Sequence, residues 1–337
     1  MTAPAAPRRL RFLPSGSSIH KLSAILTLCL LIVAFSFTSP AFLSVNNGLT
    51  VLLQTSVIGL LAIGMTLVII TGGIDLSVGS VLALSGVVTG LLIKAGLPVV
   101  PAMAFGVLAG AACGFVNGFV ITKMRITPFV ATLGMMLIAR GIALQLTGAA
   151  PISRLGEAFG ELGNGTLFRI VEMQANGFPK VIFPGIPYPV ILLAVMAILG
   201  AYVLQKRQFG RHVFSVGSSE EAARLSGVNV DRTKIWAYTL SGGLAGLSGM
   251  VLMSRLVTVQ PNEGVMYELD AIAASVIGGA SLMGGVGSIS GSMIGAFIIG
   301  VLRNGLNMAG TSAFVQMIII GVVVIGAVYV DQIRNKS

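Results

Sequence analysis

Asp75 is the only acid between residues 1 and 156, and it lies in Thr71-Gly72-Gly73-Ile74-Asp75-Leu76-Ser77-Val78-Gly79-Ser80, a polar interruption of otherwise apolar sequence. A carboxylate in such surroundings is costly unless it is paired or used. Two readings stay open, and they are compatible. In one, Asp75 caps the following helix by accepting its free backbone N–H groups. In the other, Gly73, Asp75 and Ser77 form a discontinuous-helix site lining a path or gate. Asn117 and Ser281 join this second set through a weak internal echo. Gly72-Gly73-Ile74-Asp75-Leu76-Ser77 resembles Gly278-Gly279-Ala280-Ser281-Leu282, and Asn117-Gly118-Phe119 resembles Asn304-Gly305-Leu306. The separations differ, 45 residues from Gly72 to Asn117 and 26 from Gly278 to Asn304, so either a repeat has gained a helix or the echo is chance.

A second group of acids, Glu263, Glu268 and Asp270, stands at the expected outer start of an apolar run. Acids suit a helix N-terminus because of its dipole; docking of an external partner at an outer mouth is the alternative. The third informative stretch is Ser218-Ser219-Glu220-Glu221-Ala222-Ala223-Arg224-Leu225-Ser226-Gly227. It fits a capping box with Ser218 as the cap and Glu221 three residues on, followed by a short helix that Gly227 ends in a left-handed turn. An isolated helix of about two turns is marginal in water. The expectation is therefore that it docks against something, with a solvated connector as the alternative.

Enzymatic chemistry finds little support. There is no Gly-Lys pair and hence no phosphate-binding P-loop, no His-Glu-x-x-His and no Gly-x-Ser-x-Gly. His20 and His212 flank apolar runs on the basic side, as interface residues do. Cys29 and Cys113 lie inside apolar runs, as small hydrophobes rather than a disulfide or metal pair. No cofactor is expected. Uphill transport would need ATP hydrolysed by another subunit, or an ion gradient.

The elements that must position these residues follow from composition. Of 337 residues, 55% are hydrophobic and 9% charged, with mean hydropathy +0.95. Soluble domains carry about 25% charged residues, so a water-soluble globule is excluded. The expected architecture is an all-α, polytopic inner-membrane bundle of about ten helices. A tail covers residues 1–21 and a single transmembrane domain residues 22–337. The expected spans are 22–37, 50–70, 78–95, 99–121, 127–147, 187–205, 234–254, 268–283, 288–306 and 313–331. An outer loop covers 148–187, whose prolines and glycines break any long helix, and a cytoplasmic loop covers 205–234. The net charge of +10 reflects topology rather than a nucleic-acid partner. With the N-terminus inside, fourteen of the 21 basic residues, including Arg8, Arg9, Arg11, Arg334 and Lys336, fall on the cytoplasmic side. Both termini are expected to be cytoplasmic. Gly106, Gly110, Gly114 and Gly118 put a small-residue stripe on one helix face, a packing signal shared by Gly242 with Gly246 and Gly291 with Gly295.

Several strings together resemble the permease subunits of bacterial ATP-binding-cassette sugar importers, the ribose-type family that also includes galactose, xylose and autoinducer-2 permeases. They are Gln54-Thr55-Ser56-Val57, Gly64-Met65-Thr66-Leu67-Val68-Ile69, Gly73-Ile74-Asp75-Leu76-Ser77-Val78-Gly79-Ser80 and Ala131-Thr132-Leu133-Gly134-Met135-Met136. Glu221-Ala222-Ala223-Arg224-Leu225-Ser226-Gly227 and Tyr267-Glu268-Leu269-Asp270-Ala271-Ile272-Ala273-Ala274, leading to Gly278-Gly279, complete the set. The resemblance covers nearly the whole chain and lies nearest the ribose branch. It implies import of a simple sugar, a second permease copy, a cytoplasmic ATPase and a periplasmic sugar-binding protein. It also implies that Ser218, Glu220, Glu221, Ala222, Arg224, Leu225 and Gly227 belong to a coupling helix seated on the ATPase. The outer loop carries no matching pattern over 152–185. A gradient-driven sugar symporter is the alternative, but it needs titratable groups along the path, and Asp75 is the sole acid clearly between loops.

Overall fold

The computed structural model describes residues 16–173 and 179–334. The basic markers Arg8, Arg9, Arg11 and Lys336, and residues 1–15 of the expected tail, lie outside them. Apolar runs bounded by Gly, Pro and polar residues become α1 (Gly16–Ser36), α2 (Val45–Ile70), α3 (Val78–Lys94), α4 (Val99–Lys123) and α5 (Pro128–Thr147). They continue as α7 (Tyr188–Lys206), α10 (Val230–Leu256), α12 (Ile289–Met308) and α13 (Ala313–Arg334). Among the described residues, six of these helices (α2, α4, α5, α7, α10 and α12) are long and apolar enough to cross a membrane. α2 runs through the centre, buried continuously from Thr55 to Ile70.

The glycine stripe packs as expected. A methyl group added to Gly110 would lie 2.5 Å from the Gly242 carbonyl oxygen, and one on Gly114 would lie 2.9 Å from the Tyr238 carbonyl carbon. Backbone therefore meets backbone between α4 and α10, where lipid gives no hydrophobic drive for association.

Four expectations change. The run at 268–283 is not a full span: α11 (Tyr267–Ile277) has 11 residues, about 16 Å against the ~30 Å of a bilayer core. Its apolar sequence continues, but Gly278-Gly279 ends the helix and an irregular segment leads to α12. The loop at 205–234 holds two helices, α8 (Gln208–Ser218) and α9 (Glu220–Leu225). α8 forms because Gly210, Val213 and Val216 recur at helical spacing and are buried on one face. The outer loop departs from an all-α description. It carries α6 (Glu157–Asn164), a pair of β1 (Thr166–Leu167) with β4 (Ile186–Pro187), and a hairpin of β2 (Ile170–Met173) with β3 (Pro179–Phe183), all antiparallel.

The fourth change is a re-entrant loop after α10. Val259 bridges Ile152 and faces α3 at Gly90, whereas Gly264 abuts Gly79 three turns earlier on the same helix. Eleven residues of helix correspond to about 16 Å, so the chain runs that far back into the bundle before α11 begins. Arg140 of α5 holds it there by donating to the Pro261 carbonyl and, at 2.8 Å, to the Glu263 carbonyl.

Candidate functional site

Two interruptions of helix, residues 71–77 and 278–288, meet inside the bundle. The first follows α2. Asp75 Oδ1 accepts from the Ser77 backbone N–H at 3.0 Å and from Ser77 Oγ at 2.6 Å, and Ser241 Oγ of α10 donates to Oδ2 at 3.1 Å. Asn117 Nδ2 of α4 donates to Ser77 Oγ at 2.9 Å. All four residues are 1% exposed. The hydroxyls of Thr132 and Tyr238 point at the Ile74 carbonyl, 3.3 and 3.5 Å away. Gly73 lies against the Tyr238 hydroxyl, with room for no larger residue. The glycines of α4 are what bring Asn117 close enough to α10 and the break to take part.

Asp75 does not cap α3 in the expected sense. The N-cap is Ser77, which makes no side-chain capping bond; Asp75 closes a turn onto Ser77 and extends to Ser241. Three segments distant in sequence are thus tied by neutral donors around one carboxylate.

The second interruption is built from backbone. Ser281 N–H donates to the Val286 carbonyl at 3.0 Å, Gly284 N–H returns to the Ser281 carbonyl at 2.9 Å, and Ser281 Oγ accepts from Met283 N–H at 3.3 Å. Gly285 N–H donates to the Ile70 carbonyl at 2.9 Å, satisfying one of the carbonyls left open at the end of α2. Gly72 of the first glycine segment thus lies beside Gly284, just past the second, while the two Asn-Gly motifs are far apart: Asn117 bonds Ser77, and Asn304 bonds Asn47 at the other end of α2.

Helix α8 seats on this junction. A Cβ on Gly217 would lie 2.5 Å from Gly285 N and 2.9 Å from the Ile70 carbonyl carbon. α9 follows within two residues. Its cap is Ser219, whose Oγ accepts from Ala222 N–H at 3.2 Å, so the expected capping box shifts by one; Ser218 ends α8 and bonds back to the Phe214 carbonyl. Glu221 has no reciprocal capping role in this register. Ala223 packs against Val216 and Val230, and Lys234 pairs with Glu220. Gly227 has φ +82°, the expected left-handed end. Glu221, Ala222 and Arg224 face outward, and Leu225 is 84% exposed.

Glu263, Glu268 and Asp270 stay near one another at the start of α11 but engage different partners. Glu263 and Glu268 surround Arg140, with Glu268 reaching the α3 backbone at Gly79. Asp270 faces the other way and takes Arg303 Nη2 of α12 at 2.6 Å. Beside this ion pair is a cavity of about 230 Å³ among α2, α10, α11, α12 and α13.

Ser241, Tyr238, Thr132 and Arg303 are the participants that motif reasoning missed. Ser241 and Tyr238 carry a signal in retrospect, because with Gly242, Ala245 and Gly246 they recur at helical spacing on one buried face of α10. A hydroxyl cluster of Thr66, Ser275 and Ser292, with Thr66 Oγ1 2.6 Å from Ser292 Oγ, joins α2, α11 and α12 in the same manner.

A half-helix, buried polar residues and six helices long and apolar enough to cross a membrane among the described residues define a polytopic membrane protein. A family model described as "Branched-chain amino acid transport system / permease component" matches residues 47–328, and the chain belongs to that family. It is 43% identical to the ribose import permease of Bacillus subtilis (strain 168), over 95% of this chain and 94% of the relative. Identity to the ribose import permease of Escherichia coli (strain K12) is also 43%, over 91% and 92%. The xylose transport system permease of Haemophilus influenzae is 35% identical over 89% and 92%. No solved structure matches the chain.

Proposed function

We propose that this chain is the membrane-embedded subunit of an ATP-driven importer that takes up a simple sugar, ribose or a similar pentose, from a periplasmic binding protein. The observation that carries the reading is the likeness to ribose import permeases along nearly the whole chain. The family description names branched-chain amino acids, but the relatives at 43% identity are ribose permeases and a xylose permease follows them. The chain itself is a transport component of the inner membrane, and ATP hydrolysis belongs to a partner.

In this reading about ten segments cross or enter the bilayer, both termini are cytoplasmic, and two copies of the chain assemble around the path. The end bearing α8 and α9 faces the cytoplasm; the end bearing α6 and the strands faces the binding protein. Ser218, Glu220, Glu221, Ala222, Arg224, Leu225 and Gly227 form the ATPase contact, with Leu225 as the apolar anchor. Displacement of α9 is transmitted through α8 to the junction of Ile70, Gly217 and Gly285, where both helix interruptions meet. Gly73, Asp75, Ser77, Asn117 and Ser281 form the gate that this junction moves. Glu263 and Glu268 set the re-entrant loop above it, and Asp270 lies toward the outer mouth.

The test is copurification with an ATPase and vanadate-sensitive uptake into vesicles, with labelled ribose competed by xylose, galactose and leucine. Competition by pentoses alone supports the reading. Uptake that resists vanadate and follows an ion gradient overturns it.

A further inference from the structure

A cleft between the end of α7, the start of α8 and the first turns of α10 encloses about 620 Å³. Two guanidinium groups, those of Arg207 and Arg232, line it, and no acid does. Neither arginine makes an ion pair among the described residues; Arg207 rests over the Tyr202 ring, 5.0 Å from its centroid. α8 begins at this corner without a side-chain cap, so its first-turn N–H groups add a partial positive charge to the same end of the cleft.

Polarity changes along the cleft in step with depth. Arg207 and Arg232 stand at the ends of their helices. One turn farther in are Val203 of α7 and Trp236 of α10, and Leu240 follows a turn beyond. Both α7 and α10 are long and apolar enough to cross a membrane, and Trp236 and Leu240 are nevertheless 48% and 38% exposed. Tryptophan at the polar end of a span is favoured at headgroup level. An inorganic anion would pair the arginines but leave the apolar walls uncovered, and a hydrocarbon chain alone would leave the arginines without counter-charge.

We propose that this cleft binds one anionic phospholipid of the surrounding leaflet, its phosphate held by Arg207 and Arg232 and an acyl chain lying along Val203, Trp236 and Leu240. Guanidinium groups suit phosphate because their planar N–H donors bind its oxygens in pairs. In the orientation proposed above this is the cytoplasmic leaflet, and basic pockets between spanning helices on that side bind anionic headgroups. The lipid ties α7 to α10 at the corner from which α8 departs. The inference needs a chain that spans a membrane and does not depend on the solute carried.

Trp236 is the single tryptophan of the chain and reports on its own surroundings. The test places the purified full chain in phosphatidylcholine vesicles containing a minor fraction of phosphatidylglycerol, with bromine on the acyl chains of one lipid or the other as a contact quencher. Brominated phosphatidylglycerol is expected to quench Trp236 more than an equal fraction of brominated phosphatidylcholine, and the preference should weaken as salt is raised. Arg207→Gln should lower the preference about fivefold. It is the discriminating variant, because Arg232 and Trp236 also line a neighbouring cleft, whose Lys123 is already paired with Asp231. Arg211→Gln removes an exposed charge of α8 outside the lining and should leave the preference unchanged. An equal loss in both variants would mean diffuse attraction to the basic surface and overturns the site. Displacement by soluble glycerol phosphate assigns the cleft to a free anion instead, and a Trp236 shielded from both brominated lipids means that protein covers it; either result overturns the lipid.

Discussion

Asp75 and Asp270 are both buried carboxylates on the flanks of α2, 1% and 0% exposed, and they are stabilised in opposite ways. Asp75 is surrounded by neutral donors: one backbone N–H and two hydroxyls engage its two oxygens, and among the described residues it makes no ion pair. Asp270 has a cation on one oxygen and nothing on the other. The first arrangement is closed and holds three helical segments together. The second leaves one buried oxygen without a partner among the described residues. Burial alone therefore does not describe a buried acid; the inventory of partners on each oxygen does.

The largest effect expected from breaking this contrast is on the ion pair. Arg303→Ala strands Asp270 as an uncompensated buried charge and should cost about 3–5 kcal/mol, visible as a large loss of thermal stability in detergent. The double variant Asp270→Ala with Arg303→Ala should recover part of that loss. Equal melting of single and double variants would mean that the pair is solvated and the contrast false.

Next comes the link that only the Asp75 side has to the end bearing α9. Gly217→Val forces a side chain between Ile70 and Gly285, and overpacking of this kind costs about 1–3 kcal/mol. Uptake should be lost while ATPase copurification is retained, because α9 itself is untouched. Normal uptake would show that the junction transmits nothing.

Asp75→Asn should be milder, within ~1 kcal/mol, since an amide oxygen still accepts from Ser77 and Ser241 can turn to accept from the new amide. Uptake should nevertheless fall severalfold, because the amide cannot act as a second acceptor at the Oδ2 position when the junction moves. Unchanged uptake in vesicles would reduce Asp75 to a static tie. The smallest change in stability is expected for Leu225→Asp, within about 0.5 kcal/mol at so exposed a site. Copurification of the ATPase should be lost all the same, and its persistence would argue against docking through α9.

The lone acid and its glycine-rich surroundings were legible because they interrupt apolar sequence, and the small-residue stripe of α4 was legible because it repeats every four residues. The residues around Asp75 were half legible. Asn117 stood out beside Gly118, whereas Ser241 lies 166 residues from Asp75 in a helix with several small polar residues. Composition also misjudged α11, since an apolar run reports burial and not helix length, and Gly278-Gly279 ends the helix inside that run. Two adjacent serines made the cap of α9 ambiguous by one residue. The Asp270–Arg303 pair spans 33 positions and two antiparallel helices, and the re-entrant loop is fixed by Arg140 from more than 100 residues away; no local pattern encodes either.

The backbone-to-backbone seam between α4 and α10 has a mechanical consequence. Where side chains separate two helices, a rotamer change can absorb a sliding motion of an ångström or so. Where glycine faces carbonyl, there is no such slack, and any shear drives peptide groups into one another. These two helices are therefore expected to move as one rigid unit, a stator for the parts around them. Displacement during a cycle is then expected in elements outside that seam, α7, α8 and the half-helix α11 among them. Amide hydrogen exchange should divide the chain along the same line, slow in α4 and α10 in every nucleotide state and state-dependent in the movable set.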